Sequence, residues 1–460
     1  MLVQEKSAIS KFIKNITPTR LIVASFLMLI CIGGILLALP MASKSDPVPL
    51  INSFFVATSA TCVTGLTMYD TYQTFTVFGQ AVILVLIQLG GLGLATFATA
   101  FTLLFRKKLG FRNLLILSES AGSDNLNIIS LLKMIISVTF FTELSGAFLL
   151  MIRFVPLCGR QGIWTSVFVA VSAYCNAGFD ILGFVPGNSS LTAFSADPLV
   201  CLVISALIFI GGLGFVVVQE VWVGKIKAKL FGRKTIRLSF HSRVCIIVSS
   251  ALVLIGAVLF FIFEFSNTMA GMGFFEKFIT SIFQSVNTRT AGFASVDLAA
   301  EHDITKIFTI MLMLIGGSPG STAGGIKVTT FVVMVAAVMS TFQNRDDAVF
   351  LGHRFGKMQV YKSFCVTICG LLLVLFDACA IIYLNDPGPT IDVIFESVSA
   401  FATVGAMAGI TPELNFLGKL LLMFTMFIGR VGPVSLGIAI ATTGHKRTEP
   451  ILPEGRMLIG

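Results

Sequence analysis

Four short segments of the sequence share a pattern that could bind a cation through the main chain. Each ends in a glycine after a run of mostly small residues: Ser59 to Gly65, Ser172 to Gly178, Val286 to Gly292 and Ser399 to Gly405. Carbonyl oxygens in such a loop can replace the hydration shell of a dehydrated cation. Glycine suits the loop because it adopts positive φ and has no Cβ to narrow a path. The four segments therefore predict one ion path lined by carbonyls.

The spacing of the four glycines indicates an internal repeat. They are separated by 113, 114 and 113 residues, close to one quarter of the 460-residue chain. A serine lies six residues before the glycine in three segments, and a bulky apolar residue lies ten before it in all four: Phe55, Phe168, Ile282 and Phe395. Ordinary glycine turns would not keep this register, so we predict four equivalent units around one axis.

The composition places these units in a membrane. Hydrophobic residues make up 55% of the chain and charged residues 12%, about half the ~25% of charged residues in soluble domains. This composition excludes a disordered chain, a nucleic-acid-binding domain and most cytosolic enzymes. A spanning helix needs ~20 apolar residues, and eight runs qualify: 21–40, 76–105, 130–156, 198–222, 243–265, 306–341, 360–384 and 414–443.

The runs and the glycine segments together predict the architecture. Each pair of runs encloses one glycine segment, preceded by an apolar stretch too short to cross a bilayer. Non-helical backbone at membrane depth is tolerated where it lines a watery cavity. We predict an all-α integral membrane protein with eight transmembrane helices and four re-entrant pore helices. These form four helix–pore–helix repeats, at 1–110, 111–240, 241–345 and 346–460, with pseudo-fourfold symmetry around a central ion pore. The last repeat includes a C-terminal tail.

The distribution of basic residues predicts the orientation. With both termini in the cytoplasm, 23 of the 32 Lys and Arg residues lie on the cytoplasmic side, seven lie outside and two fall within spans. By the positive-inside rule, this bias favours a multi-pass protein with cytoplasmic N- and C-termini. The outer segments carry acidic residues, including Asp70, Asp180 and Asp297. These could concentrate cations at a pore mouth, or they could form an ordinary solvated loop surface.

Residues 315–326 interrupt the sixth run. Five Gly, two Ser, one Pro and one Thr stand among these twelve residues. Because Gly costs ~1 kcal/mol and Pro ~3 kcal/mol inside a helix, we predict an unwound loop that obstructs the path below the carbonyls. A kinked helix packed closely against its neighbours is the alternative.

Two basic residues fall within the spans. Arg430 occupies a position at which the other three units have glycine. A charge at mid-membrane costs ~2.5–3.5 kcal/mol, so Arg430 should face water or a polar partner. We predict that it lies beside the 315–326 loop and holds it by hydrogen bonds; pairing with Glu143 or Asp377 is the alternative. Lys327 is expected either beside the same loop or at the cytoplasmic side.

These motifs have a known counterpart. The glycine segments, the run 316–327 and the run 427–433 resemble the Trk/Ktr/HKT superfamily of potassium transporters over essentially the whole chain, most strongly the KtrB-type membrane subunits of bacterial Ktr systems. The resemblance implies potassium uptake across the bacterial cytoplasmic membrane through one pore per protomer, stimulated by or dependent on sodium. It implies no enzymatic activity.

The resemblance also implies partners. The protomers would form a homodimer, with the C-terminal tail at its interface, on a cytosolic ring of KtrA-type regulators of potassium conductance that bind ATP or ADP. We expect this ring to dock on cytoplasmic loops such as the basic segment 225–243. The lipid bilayer is the other partner, no nucleic acid is expected, and the chain needs no organic cofactor. The transported ion is K⁺, with Na⁺ as a second candidate.

Carried over by position, the resemblance implies a selectivity filter and a gate. The filter residues, which would bind K⁺, are Cys62, Val63, Thr64, Gly65, Cys175, Asn176, Ala177, Gly178, Arg289, Thr290, Ala291, Gly292, Ala402, Thr403, Val404 and Gly405. The gate residues are Gly316, Gly317, Ser318, Pro319, Gly320, Ser321, Thr322, Ala323, Gly324, Gly325, Lys327 and Arg430. Glycine rather than serine at position 65 implies a preference for potassium.

Other functions fit the sequence less well. A sodium-permeable or unregulated member of the same superfamily is the main alternative. An alternating-access solute carrier would have inverted repeats, whereas all four predicted units begin on the cytoplasmic side. An intramembrane enzyme is disfavoured because the sequence contains no His-Glu-x-x-His motif and only four His.

Overall fold

The computed structural model describes residues 18–93, 128–184, 190–222, 237–385, 387–433 and 435–437. In these residues the chain is predominantly α-helical, and its only strands, β1 (Val349–Phe350) and β2 (His353–Arg354), form a small antiparallel hairpin. The helices are α1 Pro18–Ala38, α2 Leu50–Cys62, α3 Thr71–Thr74, α4 Val77–Leu92, α5 Ile128–Cys158, α6 Arg160–Cys175, α7 Pro198–Gly212, α8 Phe215–Val221, α9 Phe240–Phe263, α10 Phe274–Asn287, α11 Asp303–Leu314, α12 Val328–Phe342, α13 Lys357–Asn385, α14 Thr390–Ala402 and α15 Phe416–Val431.

Among the described residues, four helices are long and apolar enough to cross a membrane, and the bent pair α7 and α8 would be a fifth span if it crosses as one. The four correspond to the first predicted run of each unit and cover Arg20–Ala38, Lys133–Cys158, Phe240–Phe263 and Lys357–Asn385. Their outer surfaces expose large apolar side chains such as Leu144, Phe148, Leu254 and Phe376. Extended apolar surface of this kind marks a membrane-facing protein. The predicted helical protein with apolar spans is therefore confirmed, while the count of eight spanning helices and the four repeat boundaries stay predictions.

The second helix of each unit is shorter than the run that predicted it. The helices α4, α7 and α15 end at or just before glycines with positive φ: Gly93 (+78°), Gly214 (+91°) and Gly432 (+90°). At Gly214 the axes of α7 and α8 differ by 106°. In the third unit, the chain is non-helical between α11 and α12. The second helices of the other units thus also end at or just before a glycine, because glycine adopts the positive φ at which helix geometry stops.

The four short helices α2, α6, α10 and α14 form the centre of the molecule. The second helix of each unit packs against the short helix of the next: α4 on α6, α7 on α10, α11 on α14 and, closing the circle, α15 on α2. Phe55, Phe168 and Phe395 are fully buried in this core. In the third unit the buried residue is Phe283 rather than Ile282, because α10 ends five residues before its glycine and the other three short helices end three before theirs.

A buried ion pair joins the third unit to the fourth. Lys306 on α11 lies with its Nζ 2.6 Å from Oδ1 of Asp392 in the first turn of α14, and the two side chains are only 5% and 10% exposed. Removing one partner of a buried pair leaves an uncompensated charge, which costs ~3–5 kcal/mol. The pair therefore fixes how α11 meets α14.

We expect Lys306→Met to destabilise the protein more than the double change Lys306→Met with Asp392→Leu, since the double variant leaves no buried charge. Thermal unfolding in detergent measures the difference. Arg354→Met is the control, because the Arg354–Asp347 pair is 80% and 41% exposed and surface pairs contribute only ~0–1 kcal/mol. Equal unfolding temperatures for Lys306→Met and Arg354→Met would contradict this role.

Candidate functional site

The four glycine segments share one backbone conformation. The residue two before each glycine has positive φ: Val63 (+58°), Asn176 (+60°), Thr290 (+67°) and Thr403 (+51°). The glycines follow with φ of +98° at Gly65, +70° at Gly178, +74° at Gly292 and +88° at Gly405. Positive φ is uncommon outside glycine, and for β-branched residues it is a true outlier. Its recurrence in register means that four sequences with different side chains are held in the same strained loop.

The four glycines meet in a closed ring. A Cβ built on any of them would lie closer than 3.0 Å to a carbonyl oxygen of the next unit. The pairs follow the order of the units: Gly65 with Ala177, Gly178 with Ala291, Gly292 with Val404, and Gly405 with Thr64. Each carbonyl belongs to the residue just before the neighbouring glycine. Glycine is thus required twice over, by φ and by the close approach of the next loop.

Polar side chains behind the ring fix three of the loops. The hydroxyls of Ser59 and Ser399 accept hydrogen bonds from the N–H groups of Gly65 and Gly405, both at 3.0 Å. In the third unit, where valine replaces the serine, Asn287 Oδ1 accepts from the N–H of Phe293 at 2.8 Å. Ser59, Asn287 and Ser399 were not among the predicted site residues. The repeated serine six positions before the glycine was the signal that could have identified two of them.

A buried carboxylate organises the chain that leaves the fourth loop. Glu396 on α14 accepts hydrogen bonds from the N–H groups of Ala408, Ile410 and Thr411, each at 2.8 Å. Satisfying three buried donors with one charged acceptor makes this turn rigid. Nothing in the sequence pattern singled out Glu396.

A cavity of about 370 Å³ opens on one side of the ring. All four ring glycines line it, together with the acidic residues Asp70, Asp180 and Asp297. Burial raises the pKa of Asp180 to about 6, and the nearby Asp70 adds to the increase, so the carboxyl group is still mostly ionised at neutral pH. The structure thus brings acidic residues of three units together above the ring.

The glycine-rich stretch 315–327 lies at the other end of the four segments, and we call it the axial loop. The loop is non-helical, and its neck is paired by hydrogen bonds from Gly316 N–H to Ile326 O (2.8 Å) and from Val328 N–H to Gly317 O (3.1 Å). The predicted unwinding is therefore observed. The paired neck makes the stretch a closed loop rather than a kinked helix.

The axial loop contacts the second and fourth units just before their ring glycines. The hydroxyl of Thr322 donates to Tyr174 O at 3.3 Å, and a Cβ on Gly324 would collide with the side chain of Thr403. The break between α7 and α8 also holds the loop, since Phe215 N–H donates to Gly320 O at 2.8 Å. Any ion that passed the ring along its axis would meet this loop next.

Two cationic side chains hold the axial loop. Arg430 on α15 is half-buried and donates to the carbonyl of Thr322 and to those of Gly90 and Gly91 at the end of α4. The predicted hydrogen bonds to the loop are present. In the part of the chain described, Glu143 bonds instead to Gln88 (3.0 Å). Lys327 also lies on the loop, with its Nζ 2.6 Å from Ala323 O.

Some predicted features lie outside the described residues. They are the C-terminal tail and most of the basic segment 225–243. The predicted docking of partners on these segments stays a prediction.

Comparison with known proteins gives one consistent result. The TrkH family, described as "Cation transport protein", matches residues 5–445. The "Ktr system potassium uptake protein B" of Bacillus subtilis is 35% identical over 99% of both chains. Its namesake from Vibrio alginolyticus is 35% identical over 96% of this chain and 94% of its own.

Two further likenesses extend this result. The "Potassium/sodium uptake protein NtpJ" of Enterococcus hirae is 34% identical, covering 97% of this chain and 98% of its own. The crystal structure of the potassium transporter TrkH from Vibrio parahaemolyticus has the same fold, with a TM-score of 0.68 over 92% of this chain and 86% of that one, at 16% identity. The relatives are transport proteins rather than enzymes, and the predicted membership of the Trk/Ktr group is confirmed.

The hydroxyls behind the ring give a prediction with an internal control. Ser399→Ala leaves the N–H of Gly405 buried without its acceptor, which costs roughly 1–3 kcal/mol and loosens one loop. We expect a several-fold loss of selectivity between monovalent cations, measured as the ratio of potassium to sodium flux into liposomes. Ser172→Ala is the control, since among the described residues the Ser172 hydroxyl has no hydrogen-bond partner. Equal losses in the two variants would contradict the assignment.

Proposed function

The chain belongs to the TrkH family of cation transport proteins, and we propose that it takes up potassium across the bacterial cytoplasmic membrane. Each protomer would conduct along one central path through the ring of glycines. The observation that carries the proposal is the closure of this ring, in which carbonyl groups of all four units come together. The relatives named for potassium uptake indicate the ion, and the ring supplies the means to recognise it.

The last four residues of each glycine segment, sixteen in all, act as the selectivity filter. A potassium ion sheds its water only where other oxygens replace it. Carbonyl groups in a fixed loop replace that water with little reorganisation, because the loop conformation is already held by Ser59, Asn287 and Ser399. Backbone coordination also explains why Cys62, Cys175, Arg289 and Ala402 can occupy equivalent positions.

The acidic cavity outside the ring concentrates cations at the entrance of the filter. Asp70, Asp180 and Asp297 surround a space that leads to the glycines. Carboxylates on the walls of a low-dielectric cleft raise the local concentration of cations. In this proposal the cavity lies on the outer side, and the N- and C-termini of the multi-pass chain lie in the cytoplasm.

The axial loop acts as the gate. It lies beyond the filter from the cavity and is held by Arg430, whose charge opposes a cation at that point. Arg430 links the loop to the ends of both α4 and α15, so a movement of these helix ends would move the loop. Opening then requires rearrangement of a few hydrogen bonds rather than of a whole helix.

The wider assembly follows the relatives. The chain would form a homodimer that works with a cytosolic, ATP- or ADP-binding KtrA-type ring and is stimulated by sodium, and its similarity to a protein named as component B of a Ktr system supports the presence of partner subunits. The second candidate is a sodium-permeable or unregulated transporter. It is favoured by the 34% identity to a protein named for both potassium and sodium uptake.

Growth of a potassium-uptake-deficient bacterium at low potassium tests the proposal. We expect this chain, co-expressed with a KtrA-type subunit, to restore growth, and added sodium to improve it. The chain without that subunit should restore growth weakly. Full growth without the subunit, or growth indifferent to sodium, would favour the second candidate. Absence of growth from correctly inserted protein would count against potassium uptake itself.

A substitution in the ring tests the filter. Gly65→Ser forces a side chain against the carbonyl of Ala177 at a φ of +98°. Because distorted backbone costs ~1–3 kcal/mol, we expect the preference for potassium over sodium to fall about tenfold in liposome flux measurements. Gly271→Ser is the matched control, since a Cβ on Gly271 meets nothing within 4 Å. An unchanged preference in Gly65→Ser would place the filter elsewhere.

A further inference from the structure

Arg289 differs in kind from its counterparts in the other units. It stands three residues before the ring glycine, where the other segments have Cys62, Cys175 and Ala402. Arg289 is buried, with 8% of the residue exposed. The proposed filter uses only its carbonyl group and gives its side chain no role. Burying a guanidinium at membrane depth is costly unless polar groups compensate for the lost hydration.

The contacts of this side chain lead from the filter to the gate. One guanidinium nitrogen donates to Ser249 O on α9 at 2.9 Å, and the other donates to Gly316 O at 3.1 Å. Gly316 begins the neck of the axial loop, and its own N–H is bonded to Ile326 O. Arg289 therefore reaches from the third filter segment to the first residue of the gate.

The shape of the third unit makes this reach possible. Because α10 ends at Asn287, Arg289 lies in the turn after the helix, whereas Cys62, Cys175 and Ala402 are the last residues of theirs. A cavity of only about 10 Å³ lies beside the guanidinium, no more than a single water needs. The guanidinium reaches Gly316 O directly, at 3.1 Å.

We infer that Arg289 is a positioning residue that sets the neck of the axial loop relative to the third filter segment. The inference rests on the proposed function and extends it. A single side chain, in the third unit, joins the proposed filter to the proposed gate. Arg430 holds the middle of the same loop from the opposite side. The loop is therefore clamped at two points, and a shift of either the filter or the neck is transmitted to the other.

The consequence is measurable as a coupling between two changes. Arg289→Gln cannot span both carbonyls, and Arg289→Lys supplies a single donor group without the planar fork. Deletion of residues 319–321 shortens the axial loop and should raise potassium flux without altering selectivity. We expect Arg289→Gln to raise flux about tenfold, as for the loss of one charge-assisted hydrogen bond, and to lower the potassium-to-sodium ratio. Arg289→Lys should have intermediate effects.

Purified full-length variants in liposomes provide the test. In the shortened-loop background, Arg289→Gln should add no further flux while still lowering selectivity, because its effect on flux acts through the loop. Arg153→Gln is the control, since the half-exposed Arg153 side chain pairs with Asp197 and should alter neither quantity. Size-exclusion profiles establish that each variant is assembled.

Each outcome decides the inference. The inference is overturned if Arg289→Gln raises flux by the same factor in the parent and in the shortened-loop background. It is also overturned if Arg289→Gln changes neither flux nor selectivity. Misassembly of both the Gln and the Lys variant would make Arg289 a folding residue and would also overturn it. A parent protein that passes no potassium, with or without the shortened loop, would instead contradict the proposed function, so the two failures are distinguishable.

Discussion

Each ring glycine lies so close to a carbonyl of the next unit that no Cβ would fit between them, and this approach determines the rest of the architecture. Four loops can approach one another in this way only if they adopt the same backbone conformation. This explains the positive φ of Val63 and Thr403, two β-branched residues for which positive φ is unfavourable. The strain needs support from outside the loops. The short helices supply it, each packed on the second helix of the preceding unit, with α15 returning to α2.

The third unit departs from the symmetry of the other three at the proposed gate. Its second helix opens into the axial loop, whereas α4 and α15 end, and α7 bends, at single glycines. Its short helix ends two residues early relative to the glycine, which frees Arg289 to turn toward the loop. A strictly fourfold protein could form a filter but would have no distinct gate. Here the departures from symmetry lie together, on the same side of the ring.

The cationic side chains near the path are bonded to carbonyls. Arg289, Lys327 and Arg430 all donate to main-chain oxygens in the described residues. A carbonyl satisfies hydrogen-bond donors without cancelling their charge, so these residues can still oppose a cation. The carboxylates that line the cavity accept hydrogen bonds from main-chain N–H groups: Asp70 from Gln73, Asp180 from Leu182 and Asp297 from Ala299. In the proposed function, anions at the entrance and cations beside the gate would produce a directional field along the path.

The sequence alone determined the repeat, the membrane setting, the unwound stretch at 315–326 and the family, because glycine spacing, hydropathy and helix propensity are local properties of the chain. It could not reveal that Ser399 bonds Gly405, that Glu396 organises the turn after the filter, or that Arg289 reaches Gly316. It also aligned Ile282 of the third unit with three phenylalanines that are fully buried, whereas the structure buries Phe283 there. Those features depend on where each helix ends and on which unit lies beside it. Only the closure of four units into a ring decides that, since it brings together residues more than a hundred positions apart.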